Sequence, residues 1–155
     1  MRILGVDPGT ATTGFGVINV EGNTYTLVDG GIIKTTAHMP LPERLAIIYQ
    51  DISSVIAESN PDMVSVEKLF FAQNVTTAMS VSHARGVVLL AAEQCHLPVH
   101  EYTPLQIKQA LTGYGRAEKK QIQEMVRVVL KLKKLPEPDD CADALAAAIC
   151  HAMTV

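Results

Sequence analysis

The sequence predicts an α/β protein: one domain over residues 1–155, built on a five-stranded mixed sheet flanked by helices. Three observations predict it. A short apolar run ending in Asp-Pro-Gly opens the chain and leads into a β-rich stretch. From residue 41 onward, helical and strand-like periods alternate. The chain then closes on an alanine-rich helix set behind two prolines.

The opening "RILGVDPG" reads as a strand stopped by a turn. "GFGVINVEGNTYTLVDGGIIKT" continues in β-rich sequence, with breaks expected at Glu21-Gly22-Asn23 and Asp29-Gly30-Gly31. Short turns of this kind give a three-stranded antiparallel meander. In "LPERLAIIYQDISSVIAESN", Leu41, Leu45, Ile48, Ile52, Val55 and Ile56 repeat at the period of an amphipathic helix. "DMVSVEKLFF" is a fourth strand, and a long helix is expected from about Asn74 to Glu93. "LPVHEYT" is a fifth strand, Pro104 opens a short helix, and "LTGYGR" is a glycine-broken loop. Residues 117 to about 132 form a basic amphipathic helix, and Pro136 and Pro138 precede the last one. Later strands reached through helices give a mixed sheet.

Composition is globular, with 48% hydrophobic and 19% charged residues. The start does not read as a targeting signal, because Asp7 cuts its apolar run after four residues. The longest apolar run, "GVVLLAA", is too short to span a bilayer, so a cytoplasmic protein with no membrane partner is expected. Cys95, Cys141 and Cys150 form no CxxC pair, which argues for reduced thiols over a disulfide framework or a zinc site. The net charge of −3 hides an asymmetry. Residues 102–134 hold eight Lys and Arg against two Glu, a net of +6, which leaves −9 for the remainder. A basic face beside an acidic centre suits a nucleic-acid partner, although a solvated amphipathic helix has the same composition.

The acidic centre can be traced to particular positions. Asp7 and Glu67 each end a strand, and ligands of α/β sheets gather at such carboxyl ends. Strand alternation puts Glu67 on the face of Ser65, opposite Val64 and Val66. In "EPDDCADALAAAICH", Asp140 and Asp143 are three apart and share a helix face, while Asp139 is expected to cap the helix. Capping alone would account for one or two acidic residues there. If the last helix docks across the sheet's carboxyl edge, four carboxylates meet and need a counter-charge. Oxygen ligands in that number suit Mg²⁺ or Mn²⁺, and two such ions about 4 Å apart form a phosphodiester-cleaving centre. Strand-end Asp, meander, strand-end Glu, basic segment and closing DxxD together form the ribonuclease H-like plan.

On these segments the chain resembles the RuvC Holliday-junction resolvases. "ILGVDPGTATTGFGVI", "VEKLFFAQN", "ARGVVLLAA", "YTPLQIKQALTGYGRAEKKQIQEMV" and "DDCADALAAAICH" carry the resemblance over nearly the whole chain. It implies a structure-selective endodeoxyribonuclease of recombination and repair, a homodimer that nicks opposed strands of a four-way DNA junction. It further implies Mg²⁺, two ions per subunit with Mn²⁺ able to substitute, and a branch-migration motor partner of the RuvA–RuvB type. Carried over, Asp7, Glu67, Asp140 and Asp143 are the catalytic metal ligands, with His replacing Asp140 in some members. Whether Asp139 or Asp140 coordinates stays open. Lys108 and Lys119 match family lysines near the scissile phosphate, with Lys120 the alternative to Lys119 as the closer contact. Phe70 matches a family aromatic that stacks on a base; Phe70 and Phe71 could instead be core residues, but in an extended segment both cannot face inward, which leaves one ring exposed.

Other residues allow two readings. Ala78, Val81, Ala84, Val88 and Ala91 on the long helix serve a core or a dimer partner equally well. His151 near the chain's end suits a helix dipole. An actin-like nucleotide-binding domain would use Thr10, Thr12 and Thr13 on phosphates, but needs two such domains. A silent junction-binding scaffold and a ribonuclease or transposase-like nuclease with the same metals are the remaining rivals.

Overall fold

The computed structural model describes residues 1–68 and 75–155. Ten elements follow in order: β1 (Arg2–Asp7), β2 (Thr12–Glu21), β3 (Thr24–Lys34), α1 (Leu41–Ser59), β4 (Met63–Glu67), α2 (Val75–Gln94), β5 (Val99–Tyr102), α3 (Pro104–Thr112), α4 (Lys119–Val129) and α5 (Asp139–Thr154). The strands order as β3-β2-β1-β4-β5 in one mixed sheet, the fold class expected. β1–β2 and β2–β3 are antiparallel, whereas β1–β4 and β4–β5 are parallel. Phe70 lies outside the described residues.

Helix ends follow local chemistry. Asn60 closes α1 in the left-handed conformation at φ 46°, just before Pro61. Thr103 and Gln106 form a reciprocal capping box on α3, with Pro104 at its first position and Gly113 closing it at φ 72°. At α4, Gln121 Oε1 accepts from the Glu118 N–H at 2.8 Å, and the helix buries Ile122 and Val126 while its charged face stays outside.

The sheet divides two apolar layers. Leu4, Val6, Val17, Val64 and Val66 pack under α1 and α2. Ile3 and Ile18 pack under α5, with α3 and α4 joining through Ile107, Leu111, Ile122 and Val126. Leu4 and Ile18 are fully buried, so truncating either to Ala would cost about 2–5 kcal/mol. On α2, Ala84, Val88 and Ala91 face this core, while Ala78 and Val81 are half-buried. As a whole, α2 is long and apolar enough to cross a membrane, which its longest apolar run did not suggest. Its charged Arg85 pairs with Glu101 of β5.

Glycines seat α5 directly on the sheet. A Cβ on Gly5 would lie 2.0 Å from the Ala144 carbonyl oxygen, and one on Gly14 would lie 1.9 Å from that of Asp140. A Cβ on Gly16 would meet Leu145 Cδ2 at 2.4 Å. Only bare backbone on β1 and β2 lets this alanine-rich helix approach so closely. Ser65 Oγ adds a buried hydrogen bond of 2.7 Å to the Ala147 carbonyl.

The break expected at Asp29-Gly30-Gly31 does not occur, and β3 runs straight through it. The register moves instead from Val17↔Asp29 to Ile18↔Leu27, a bulge that leaves Val28 over. These glycines serve close approach rather than a turn. Cβ atoms there would lie 3.0 Å from Cys141 Sγ and 3.1 Å from the Phe15 ring.

Candidate metal centre at the carboxyl edge of the sheet

Asp7 and Glu67 end adjacent parallel strands, one step past the Val6↔Val66 pair. Their faces match, since Asp7 follows Ile3 and Gly5 while Glu67 follows Ser65, all toward α5. The first turns of α5 descend onto this edge. Asp7, Asp140 and Asp143, all half-buried, each offer a ligand atom within 4.8 Å of the others. Glu67 joins through a side-chain hydrogen bond with Asp7.

Burial pushes the Asp7 carboxyl up to about 8, helped by the charges of Glu67, Asp143 and Asp140 and by the Glu67 hydrogen bond. Glu67 is raised by burial and then by Asp143, against lowering by the Asp7 hydrogen bond, Lys119 and Lys108. Asp143 is raised mainly by burial, with Lys119 opposing. The centre therefore holds more negative charge than its neighbours neutralise. Its donors are carboxylate oxygens, with no Cys or His in the group, so a hard divalent cation of the Mg²⁺ or Mn²⁺ kind fits it better than zinc.

Beside these acids opens a cleft of about 260 Å³ lined by Glu67, Asp143, Lys108, Lys119, Ile107 and Ile122. Lys108 and Lys119 are thus brought to the acidic edge. Lys120 instead lines a separate groove with Leu111, Thr112, Glu124 and Met125.

Asp139 does not cap α5. The N-cap is Pro138, without a side-chain cap bond, and Asp139 turns toward α4 instead. There it accepts a hydrogen bond from Gln123 Nε2 at 3.0 Å and lies 3.4 Å from Lys119 Nζ. Of the two neighbouring aspartates, Asp140 faces Asp7. Sequence reasoning missed the Gln123 contact and the glycine seat. The signal for the seat was present, because Gly5, Gly14 and Gly16 interrupt strand-like sequence where a close backbone approach is expected.

The threonine hydroxyls of the actin-like rival are already engaged, and the expectation for His151 changes. Thr10 donates to the Ser80 carbonyl at 2.6 Å and Thr13 to that of Gly9 at 2.6 Å. Both are buried, so these hydroxyls tie the β1–β2 turn to its surroundings rather than to phosphates. His151 does sit in the last turn of α5, but it is not open to solvent there. It is buried, stacks on His100 at 4.3 Å and shares a 2.7 Å hydrogen bond with the Tyr102 hydroxyl through Nδ1. Burial, and then His100, lower its pKa and favour the neutral ring. All three cysteines are free, and burial pushes the Cys141 and Cys150 thiols up to about 11.

Comparison with known proteins matches residues 3–151 to the family model described as crossover junction endodeoxyribonuclease RuvC. A relative from Desulfitobacterium hafniense (strain DSM 10664 / DCB-2), with the same description, is 60% identical over 155 residues, spanning 100% of this chain and 94% of the relative. The solved structure of Thermus thermophilus RuvC superposes with a TM-score of 0.93 at 40% identity, covering 99% of this chain and 94% of that one. T. thermophilus RuvC in complex with its Holliday junction substrate gives a TM-score of 0.95 at 39% identity, with the same coverage.

Proposed function

The chain belongs to the RuvC family of crossover junction endodeoxyribonucleases, and we propose that it resolves four-way DNA junctions by paired nicks, through metal-dependent hydrolysis at Asp7, Glu67, Asp140 and Asp143. The observation that carries this reading is the meeting of Asp7, Asp140 and Asp143 oxygens within 4.8 Å, beside a cleft walled by lysines.

Asp7, Asp140 and Asp143 would hold the cation directly, with Glu67 contributing from the next strand. Mg²⁺ is the proposed ion, two per subunit, with Mn²⁺ able to replace it. When bound, such ions orient and acidify a water and neutralise charge developing on the phosphate. Asp7, whose carboxyl is held protonated toward pH 8 by burial and by its acidic neighbours, would ligate in its ionised form. Lys108 and Lys119 offer mobile point charges to phosphate oxygens in the cleft, and Ile107 and Ile122 limit water there. Lys120 would meet DNA farther out. Phe70 is proposed to stack on a base.

Two cuts on opposed strands call for two symmetry-related sites, so a homodimer is part of the proposal. Val75, Met79 and Leu90 are exposed apolar side chains on α2 that could take part in that contact. Cytoplasmic action alongside a branch-migration motor of the RuvA–RuvB type completes it.

The test is nicking of a synthetic mobile four-way junction against linear duplex and an RNA–DNA hybrid, in Mg²⁺ and in EDTA. Metal-dependent nicks paired on opposite strands of the junction alone are expected. Cleavage of the hybrid would keep the metal centre and replace the substrate. Tight junction binding without a cut in Mg²⁺ or Mn²⁺ would leave a scaffold.

A further inference from the structure

Asp139 stands at the head of α5 yet outside the group formed by Asp7, Asp140 and Asp143. Its two oxygens are divided between partners on one helix. Oδ1 accepts from Gln123 Nε2 at 3.0 Å, and Oδ2 lies 3.4 Å from Lys119 Nζ. Lys119 and Gln123 are four apart on α4 and share a face. Gln123 is 9% exposed, so its amide is a fixed anchor rather than a mobile surface group.

The same ammonium donates to Asp143 Oδ2 at 3.2 Å. Lys119 and a divalent cation therefore compete for Asp143. With Asp143 as its only partner, Lys119 would have to leave the edge or block the site. Asp139 supplies a second partner beside the first.

We propose that Asp139, held in place by Gln123, is a positioning residue for Lys119: it keeps the ammonium at the cleft while Asp143 turns to the cation. The proposal rests on the metal-centre reading above. Asp139 touches neither the cation nor the phosphate and acts through the lysine.

Calorimetric Mn²⁺ titration of six chains tests it: the natural sequence, Asp139→Asn, Asp139→Glu, Lys119→Met, the double variant of Asp139→Asn with Lys119→Met, and Asp7→Asn. With Lys119 present, Asp139→Asn should weaken Mn²⁺ binding about threefold, because the ammonium then holds Asp143 alone. Lys119→Met should bind Mn²⁺ more tightly than the natural sequence. Adding Asp139→Asn to Lys119→Met should then change affinity by less than about 1.5-fold. Asp139→Glu should restore binding, since its carboxylate still reaches the lysine. Equal weakening in both backgrounds would make Asp139 a general negative charge and overturn the proposal, as would no effect in either. Melting in EDTA separates a folding defect from these outcomes. Failure of the natural sequence to bind Mn²⁺ in a manner that Asp7→Asn abolishes would overturn the metal-centre reading, and this proposal with it.

Discussion

Asp7 and Glu67 stand side by side where the parallel strands β1 and β4 end, and their carboxyl groups are hydrogen-bonded to each other at the sheet's edge. With Asp7 raised to about 8, it is largely neutral at pH 7. Without a cation, a protonated Asp7 relieves repulsion among the acids, because ionising all of them in one half-buried space is costly.

Asp7→Asn should separate binding from chemistry. The amide still donates to Glu67, but the ligand charge is gone. Nicking of a junction should fall at least about a hundredfold. Junction binding in Ca²⁺, read by gel shift, should stay within about twofold of the natural sequence. Loss of binding along with cleavage would make Asp7 structural.

The raised Asp7 pKa also sets a pH dependence of stability. Folded Asp7 keeps its proton up to about pH 8, whereas its ordinary value is 3.8. Between those values the folded chain binds more protons than the unfolded one, so stability declines as pH rises. In EDTA, the melting temperature should drop by roughly 10 °C between pH 5 and pH 8.5, since about 1.4 kcal/mol is lost per pH unit at about 2–4 °C per kcal/mol. Saturating Mg²⁺ should abolish the drop, and Asp7→Asn should flatten it. Matching slopes for Asp7→Asn and the natural chain would contradict this.

Neighbouring lysines should differ. Lys119 reaches Asp143 at 3.2 Å in the acidic cleft, while Lys120 lines the groove beside Met125. Lys119→Ala should slow nicking about tenfold or more at saturating junction. Lys120→Ala should weaken junction binding and reduce the salt slope by about one, with the saturated rate nearly unchanged. Equal effects on the saturated rate would remove the distinction.

Gly14→Ala should disturb the centre from underneath. Its Cβ would meet the Asp140 carbonyl carbon at 2.3 Å as well as the oxygen, a backbone contact that no rotamer change relieves. Shifting α5 outward should cost about 1–3 kcal/mol in a denaturant melt. Mn²⁺ affinity should fall more than stability alone explains, because Asp140 moves with the helix. Unaltered metal binding would mean that the strand yields instead.

Several features were readable in the chain because they depend on local spacing. A period near 3.6 marks α1 and α4, and a period of two puts Glu67 on the face of Ser65. Three residues between Asp140 and Asp143 leave them one turn apart on a single side of α5 in any helical context. Asp-Pro-Gly stops β1 after Asp7, so that carboxylate stands at a strand end.

Other features depend on which distant surfaces meet. Asp29-Gly30-Gly31 has turn composition, yet its glycines make room for Cys141 and Phe15, residues outside any local window. Asp139 has the composition of a cap, but α4 packs close enough for Gln123 and Lys119 to claim it. His151 suits a helix dipole by position, but the β4–β5 pairing lays His100 and Tyr102 against it, so it is a buried, stacked and hydrogen-bonded ring. The sequence by itself determined which carboxylates and lysines exist and which share a face, because helix and strand geometry are properties of neighbouring residues. Only the tertiary structure decided which of them converge, because that follows from the parallel β1–β4 pairing and from a glycine seat narrow enough to bring α5 down onto the sheet.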